Sequence, residues 1–109
     1  MRQWDIFLFP FPEELPHPVV IVSSDDRCGN PDLKYVNGLI CTTVRLTRPA
    51  KLNEVLLDQA DGLDWTTAVR CDFLHGLPKT GFLQHRGQVS EPRQFQIMRA
   101  VMRCLRFRI

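Results

Sequence analysis

The sequence predicts a mainly β domain: a small antiparallel barrel or curled sheet closed by one C-terminal helix. Three observations carry this. Short apolar runs recur along the chain, each bounded by Pro, Gly, Asn or Asp. Only the segment from Ser90 onward switches to helical spacing. The 109 residues, 44% hydrophobic and 24% charged, suit one ordinary globular domain spanning 1–109.

The elements follow in order. "QWDIFLF" (3–9) is aromatic and β-branched, a first strand, and "PFPEELPHP" (10–18) is a proline-punctuated loop. "VVIVSS" (19–24) reads as a buried strand, and "DDRCGNPD" (25–32) as turn chemistry throughout. "YVNGLICTTVRL" (35–46) contains a third strand from about Leu39, "NEVLLD" (53–58) a fourth and "TTAVRCDFL" (66–74) a fifth. "GLPKTG" turns into a short "FLQHRGQV". Phe95, Met98, Val101, Met102 and Leu105 then recur at helical spacing, with Ser90 placed to cap and Pro92 tolerated in the first turn. This stripe, methionines included, is expected to pack the helix onto the sheet.

Net charge is only +2, but it is unevenly spread. Residues 70–109 hold eight Lys or Arg and two acids, whereas 1–69 hold six basic and ten acidic side chains. A basic C-terminal half suits a polyanion, and equally suits the wet face of a terminal helix. Cys28, Cys41, Cys71 and Cys104 form no CxxC pair and no histidine stands at zinc spacing, so no metal or other cofactor is expected. Cys41 and Cys71 fall in apolar runs, as buried free thiols do, which fits a reducing cytoplasm. Asp5, Pro10 and Pro12 interrupt the N-terminal apolar run, so neither a signal peptide nor a membrane span is expected.

"AVRCDFLHG" (68–76) carries the chemistry. Strand alternation sends Val69, Cys71 and Phe73 to one face and Arg70, Asp72 and Leu74 to the other. Two such charges sit roughly 6.5–7 Å apart on one surface. They read either as a solvated ion pair or as a base and a cation aimed at one phosphodiester.

Four stretches in order, "WDIFLFPFP", "HPVVIVSS", "LICTTV" and "GLDWTTAVRCD", resemble the MazF/PemK (Kid) family of toxins from toxin–antitoxin pairs. The likeness covers about residues 3–73. It implies a barrel of the Src-homology-three type with a C-terminal helix (the MazF/CcdB type), usually a homodimer. It also implies metal-independent cleavage of single-stranded RNA, held in check by a cognate antitoxin protein.

On this resemblance Asp72 is the base that takes the 2′-hydroxyl proton. Arg70 stabilises charge and could deliver a proton, though its high pKa favours the electrostatic role. Thr42 matches the family's active-site threonine, and Thr43 follows it with a second phosphate donor. His17 stands where the family usually has an arginine, as a phosphate contact or a general acid. His75 is a second acid candidate, and Lys79 and Arg86 could hold RNA backbone. The loop before His17 is short and brings Glu13 and Glu14 instead of the family's glycine-rich stretch.

Two alternatives remain open. One is a non-catalytic gyrase poison of the related CcdB type, suggested by the terminal Ile109, although the tryptophan–glycine pair expected before it is absent. The other is a degenerate member that only binds RNA or antitoxin. The "FLFPF" segment is expected to lie partly in a dimer interface.

Overall fold

The computed structural model describes residues 1–43 and 48–108. Seven strands form one curled antiparallel sheet: β1 (Asp5–Phe9), β2 (His17–Ile21), β3 (Tyr35–Thr43), β4 (Glu54–Leu57), β5 (Thr67–Arg70), β6 (His75–Pro78) and β7 (His85–Gln88). The strand order is β4-β5-β3-β2-β1-β7, with β6 also paired to β3. Two α-helices stand beside the sheet among the described residues, α1 (Asp25–Gly29) and α2 (Glu91–Leu105). Mainly β with a C-terminal helix is thus the observed class.

Several boundaries differ from the expectation. Residues 25–29 form the short helix α1, because Ser24 accepts a hydrogen bond from the Arg27 amide and converts turn residues into a capped helical turn. β3 begins at Tyr35, ahead of Leu39, because β6 pairs with its first half. The expected end of this strand, 44–46, lies outside the described residues, as does Ile109. The expected strand 66–74 stops at Arg70, and the "HGLP" that follows is itself strand β6.

The sheet buries both faces. One face meets α2 through Ile6, Val20, Leu39, Cys41, Val69 and Cys71. The other carries Val19, Ile21, Val36 and Leu77 under Phe7, Phe9, Phe11 and Phe82. Phe9 is therefore buried within its own chain, stacked against Phe11 and Phe82. Gly87 lets β7 lie against the one-turn segment Gln59–Asp61, since a Cβ there would collide with the Asp61 carbonyl oxygen.

The stripe that α2 buries overlaps the expected one at the half-buried Val101, Met102 and Leu105 and departs from it nearer the helix start. Ile97 and Ala100 are buried, with Val101 packed beside them, whereas Phe95 (52% exposed) and Met98 face out. The small Ala100 lets the helix approach the sheet, which larger residues would prevent. Ser90 makes no side-chain cap. Its amide instead donates to Asp61 Oδ1 at 2.9 Å.

That aspartate belongs to the network fixing α2 to the sheet. Arg93 bonds both Asp61, whose side chain is fully buried, and Asp58 (2.7 Å). Arg48 holds the buried Glu54 in a bidentate pair at 2.7 and 3.1 Å. No buried side-chain polar atom among the described residues lacks a partner.

Arg93→Ala should cost about 3 kcal/mol, because it strands a buried carboxylate. Urea unfolding measures this. Stability should also depend on acid. The Arg93 guanidinium holds Asp58 at about 2, against an ordinary 3.8. The Arg48 guanidinium likewise holds Glu54 at about 2, against 4.5. Both bind protons more weakly folded than unfolded. Their contribution is complete above about 4.5 and is lost as pH falls through about 2. Glu54→Gln should flatten the urea midpoint's dependence on pH across that window.

Candidate active site

β3 builds the site because three strands share it. β2 lies along one edge, with Val19 opposite Ile40. β5 and β6 lie end to end along the other, Cys41 opposite Val69 and Gly38 opposite His75. Between those two pairs β3 spends only Leu39 and Ile40, while its partner spends Arg70, Cys71, Asp72, Phe73 and Leu74. The surplus must leave the sheet. Cys71 anchors its start, with a buried side chain and an amide bonded to the Asn53 carbonyl at 2.8 Å. Asp72, Phe73 and Leu74 then arch outward, all exposed.

Alternation holds as far as Asp72, with Val69 and Cys71 buried and Arg70 and Asp72 exposed on the other side, and the bulge begins beyond Cys71. Arg70 Nε lies 3.8 Å from Asp72 Oδ1, and both side chains are about half exposed. Phe73 departs from the expectation that it would join Val69 and Cys71 inside: it is 61% exposed. Arg70, Asp72 and Phe73 line a pocket of about 330 Å³ with Ile40, Thr42 and His75. Thr43, one residue on, is exposed at the described end of β3 and pairs with Thr67.

An adjoining hollow of about 440 Å³ shares Ile40, Thr42 and His75 and adds Phe11, Pro12, Glu14 and His17. Together the two form one groove across β3, on the face opposite α2. His17 is held at both ring nitrogens, with Nδ1 3.2 Å from the Cys41 carbonyl oxygen and Nε2 2.9 Å from Glu14 Oε2. A carbonyl and a carboxylate only accept, so a doubly protonated ring satisfies both at once. Glu13 adopts a left-handed conformation (φ 63°) that turns the chain back, so that Glu14 reaches His17. Glu14 thus caps the His17 ring at the groove rim, a role that residue type alone does not reveal.

His75 sits against the Phe73 ring at 4.6 Å, and burial pushes its pKa below the ordinary value, favouring the neutral imidazole. The two buried thiols, Cys41 and Cys71, are not poised for chemistry. Burial pushes Cys71 up to about 12 and Cys41 still higher. Among the described residues no three His, Cys, Asp or Glu side chains converge to hold a metal ion, and no helix is long and apolar enough to cross a membrane.

Lys79 and Arg86 are not brought into the groove. Lys79 Nζ donates to the Arg27 and Asn30 carbonyls at 2.6 and 2.8 Å, closing the C-terminal end of α1. Arg86 stacks over Trp65 (4.7 Å) and pairs with Asp64. Lys79→Met should therefore lower stability by about 1–2 kcal/mol, read as a lower urea midpoint, through loss of two charge-assisted bonds. The groove should keep its structure.

The fold has solved counterparts. An endoribonuclease from a mycobacterial species, in complex with its cognate antitoxin, superposes with a TM-score of 0.82 at 22% identity, over 100% of this chain and 98% of that one. The Mycobacterium tuberculosis toxin MazF-mt6 gives 0.79 at 20% identity, over 96% and 99%. A further structure of an endoribonuclease from a mycobacterial species gives 0.79 at 23%, over 100% and 94%. At such identities the likeness establishes a shared fold. No protein-family model and no curated protein sequence matches the chain.

Proposed function

We propose that the chain is the toxin of a toxin–antitoxin pair and cleaves single-stranded RNA without metal, using the 2′-hydroxyl as nucleophile. The observation that carries this is the gathering of Arg70, Asp72 and Thr42 in one pocket that opens onto His17. The structural counterparts, two of them described as endoribonucleases, support it.

Each residue has a part. Asp72 accepts the proton of the 2′-hydroxyl. The 2′-oxygen attacks phosphorus, and the bond from phosphorus to the 5′-oxygen breaks. The His17 imidazolium form is the one that gives a proton to that leaving oxygen. Arg70 and the Thr42 hydroxyl balance charge on the phosphorane oxygens. Arg70 is too weak an acid for the leaving group, and the partly buried His75 favours its neutral form. Thr43 adds a donor at the groove's end. Glu14 must release His17 when phosphate enters.

The same reading carries an antitoxin partner, a homodimer and a cytoplasmic site of action. An antitoxin bound to the mycobacterial counterpart supports the first. Exposed Phe95 and Met98 on α2 supply apolar surface for either protein contact.

The test is incubation of the purified protein with mixed-sequence RNA in EDTA, followed by mapping of the ends. The products should carry 2′,3′-cyclic phosphate and 5′-hydroxyl termini. Asp72→Asn should lower turnover at least about 100-fold while RNA affinity stays near wild type, since the base acts only in the transition state. Arg70→Ala should lose turnover and affinity together, and reduce the salt dependence of binding by about one phosphate contact. His17→Arg sets a permanent cation there that does not give up its proton, so affinity should persist and turnover fall. No cutting of any RNA, with growth arrest relieved by a gyrase mutation, would favour the CcdB-type reading instead.

A further inference from the structure

A single exposed aromatic is unremarkable on a protein surface. Phe73 differs in where the chain puts it. The five-against-two mismatch along β3 forces residues out of the sheet, and the bulge presents Phe73 beside Asp72 on the pocket rim. The ring does not lie free. It rests on His75 with centroids 4.6 Å apart and planes at 53°, and His75 is itself fixed in β6 opposite Gly38. The groove's other end carries a matching pair, Phe11 against His17 at 5.7 Å. Phe11, however, is tied into the Phe9 ring, whereas Phe73 is 61% exposed.

We infer that Phe73, backed by His75, is a stacking platform for the nucleobase next to the phosphate that Arg70 and Asp72 address. The inference rests on the ribonuclease reading. A cation and a carboxylate suited to a phosphodiester share one pocket with an aromatic ring open to solvent. Single-stranded RNA offers those two needs side by side: a charged backbone, and unstacked bases that seek an aromatic face. Stacking tolerates any base, so Phe73 supplies grip and orientation more than sequence choice. It orders the nucleotide whose 2′-hydroxyl or leaving oxygen must line up with Asp72 and His17.

The test is fluorescence anisotropy with a labelled single-stranded 2′-O-methyl RNA, which lacks the attacking hydroxyl, and with a matched oligonucleotide carrying abasic sites. Wild type should bind the base-bearing strand at least about five-fold more tightly than the abasic one. Phe73→Ala should weaken binding of the base-bearing strand by at least about five-fold, lose the preference over the abasic strand, and keep the salt slope. Phe73→Trp should retain the affinity. Because the ring is exposed, both variants should keep the wild-type circular dichroism and melting curve. The comparison of the two strands on wild type decides the matter even if a variant folds poorly.

Equal binding of both strands by wild type, or unchanged affinity in a folded Phe73→Ala, would overturn the platform while leaving the ribonuclease reading intact. The exposed ring would then belong to a protein contact. Wild type that neither binds this strand nor cuts ordinary RNA would overturn the reading and the platform together.

Discussion

The register along one edge of β3 is the constraint on which the site depends. Antiparallel pairing is regular, so a partner that is three residues too long must expel the surplus or break the ladder. Here the ladder survives on both sides of the mismatch, at Cys41 with Val69 and at Gly38 with His75. The buried Cys71 prevents the whole segment from leaving. What emerges is a short arch with fixed ends. It presents a carboxylate and an aromatic ring beside a strand that already carries Ile40 and Thr42. A site held this way gains precision from the sheet while its chemistry sits on a loop.

Both faces of β3 are used, for different ends. The Leu39 and Cys41 face packs against α2, which the Arg93 network with Asp58 and Asp61 locks in place. The Gly38, Ile40 and Thr42 face is covered at one end by phenylalanines and left open at the other, and the open end is the groove. Rigidity on one face thus supports accessibility on the other. The β1–β2 loop closes the groove's rim through Glu14 on His17, so a carboxylate already occupies the ring nitrogen that faces the groove.

Much of this was legible in the sequence. Strands β1, β2 and β4 and helix α2 follow from periodicity and turn residues. Arg70, Asp72, Thr42 and His17 were singled out, and the fold brings them to one groove. Alternation places Arg70 and Asp72 correctly on one side and fails at the next residue. Alternation predicted that Phe73 would be buried, because a pattern of period two assumes an unbroken strand, and no local residue announces that β3 is three residues too short for its partner. On the C-terminal helix the expected stripe holds at Val101 and fails at Phe95 and Met98, where Ile97 and Ala100 face inward instead. The small Ala100 is the better marker of close packing. Lys79, which by residue type could hold RNA backbone or simply face water, instead bonds carbonyls some fifty residues earlier in the chain, at positions 27 and 30. The Glu14 to His17 contact depends on a left-handed Glu13, which composition does not signal.

The most direct test of the account is where RNA lands. Heteronuclear NMR of the Asp72→Asn protein, titrated with single-stranded RNA, reads this residue by residue. The groove account predicts the largest shift changes at His17, Ile40, Thr42, Arg70, Phe73 and His75, on the face opposite α2. Changes confined to the exposed arginines of the C-terminal segment, Arg99, Arg103, Arg106 and Arg108, with the groove silent, would contradict it.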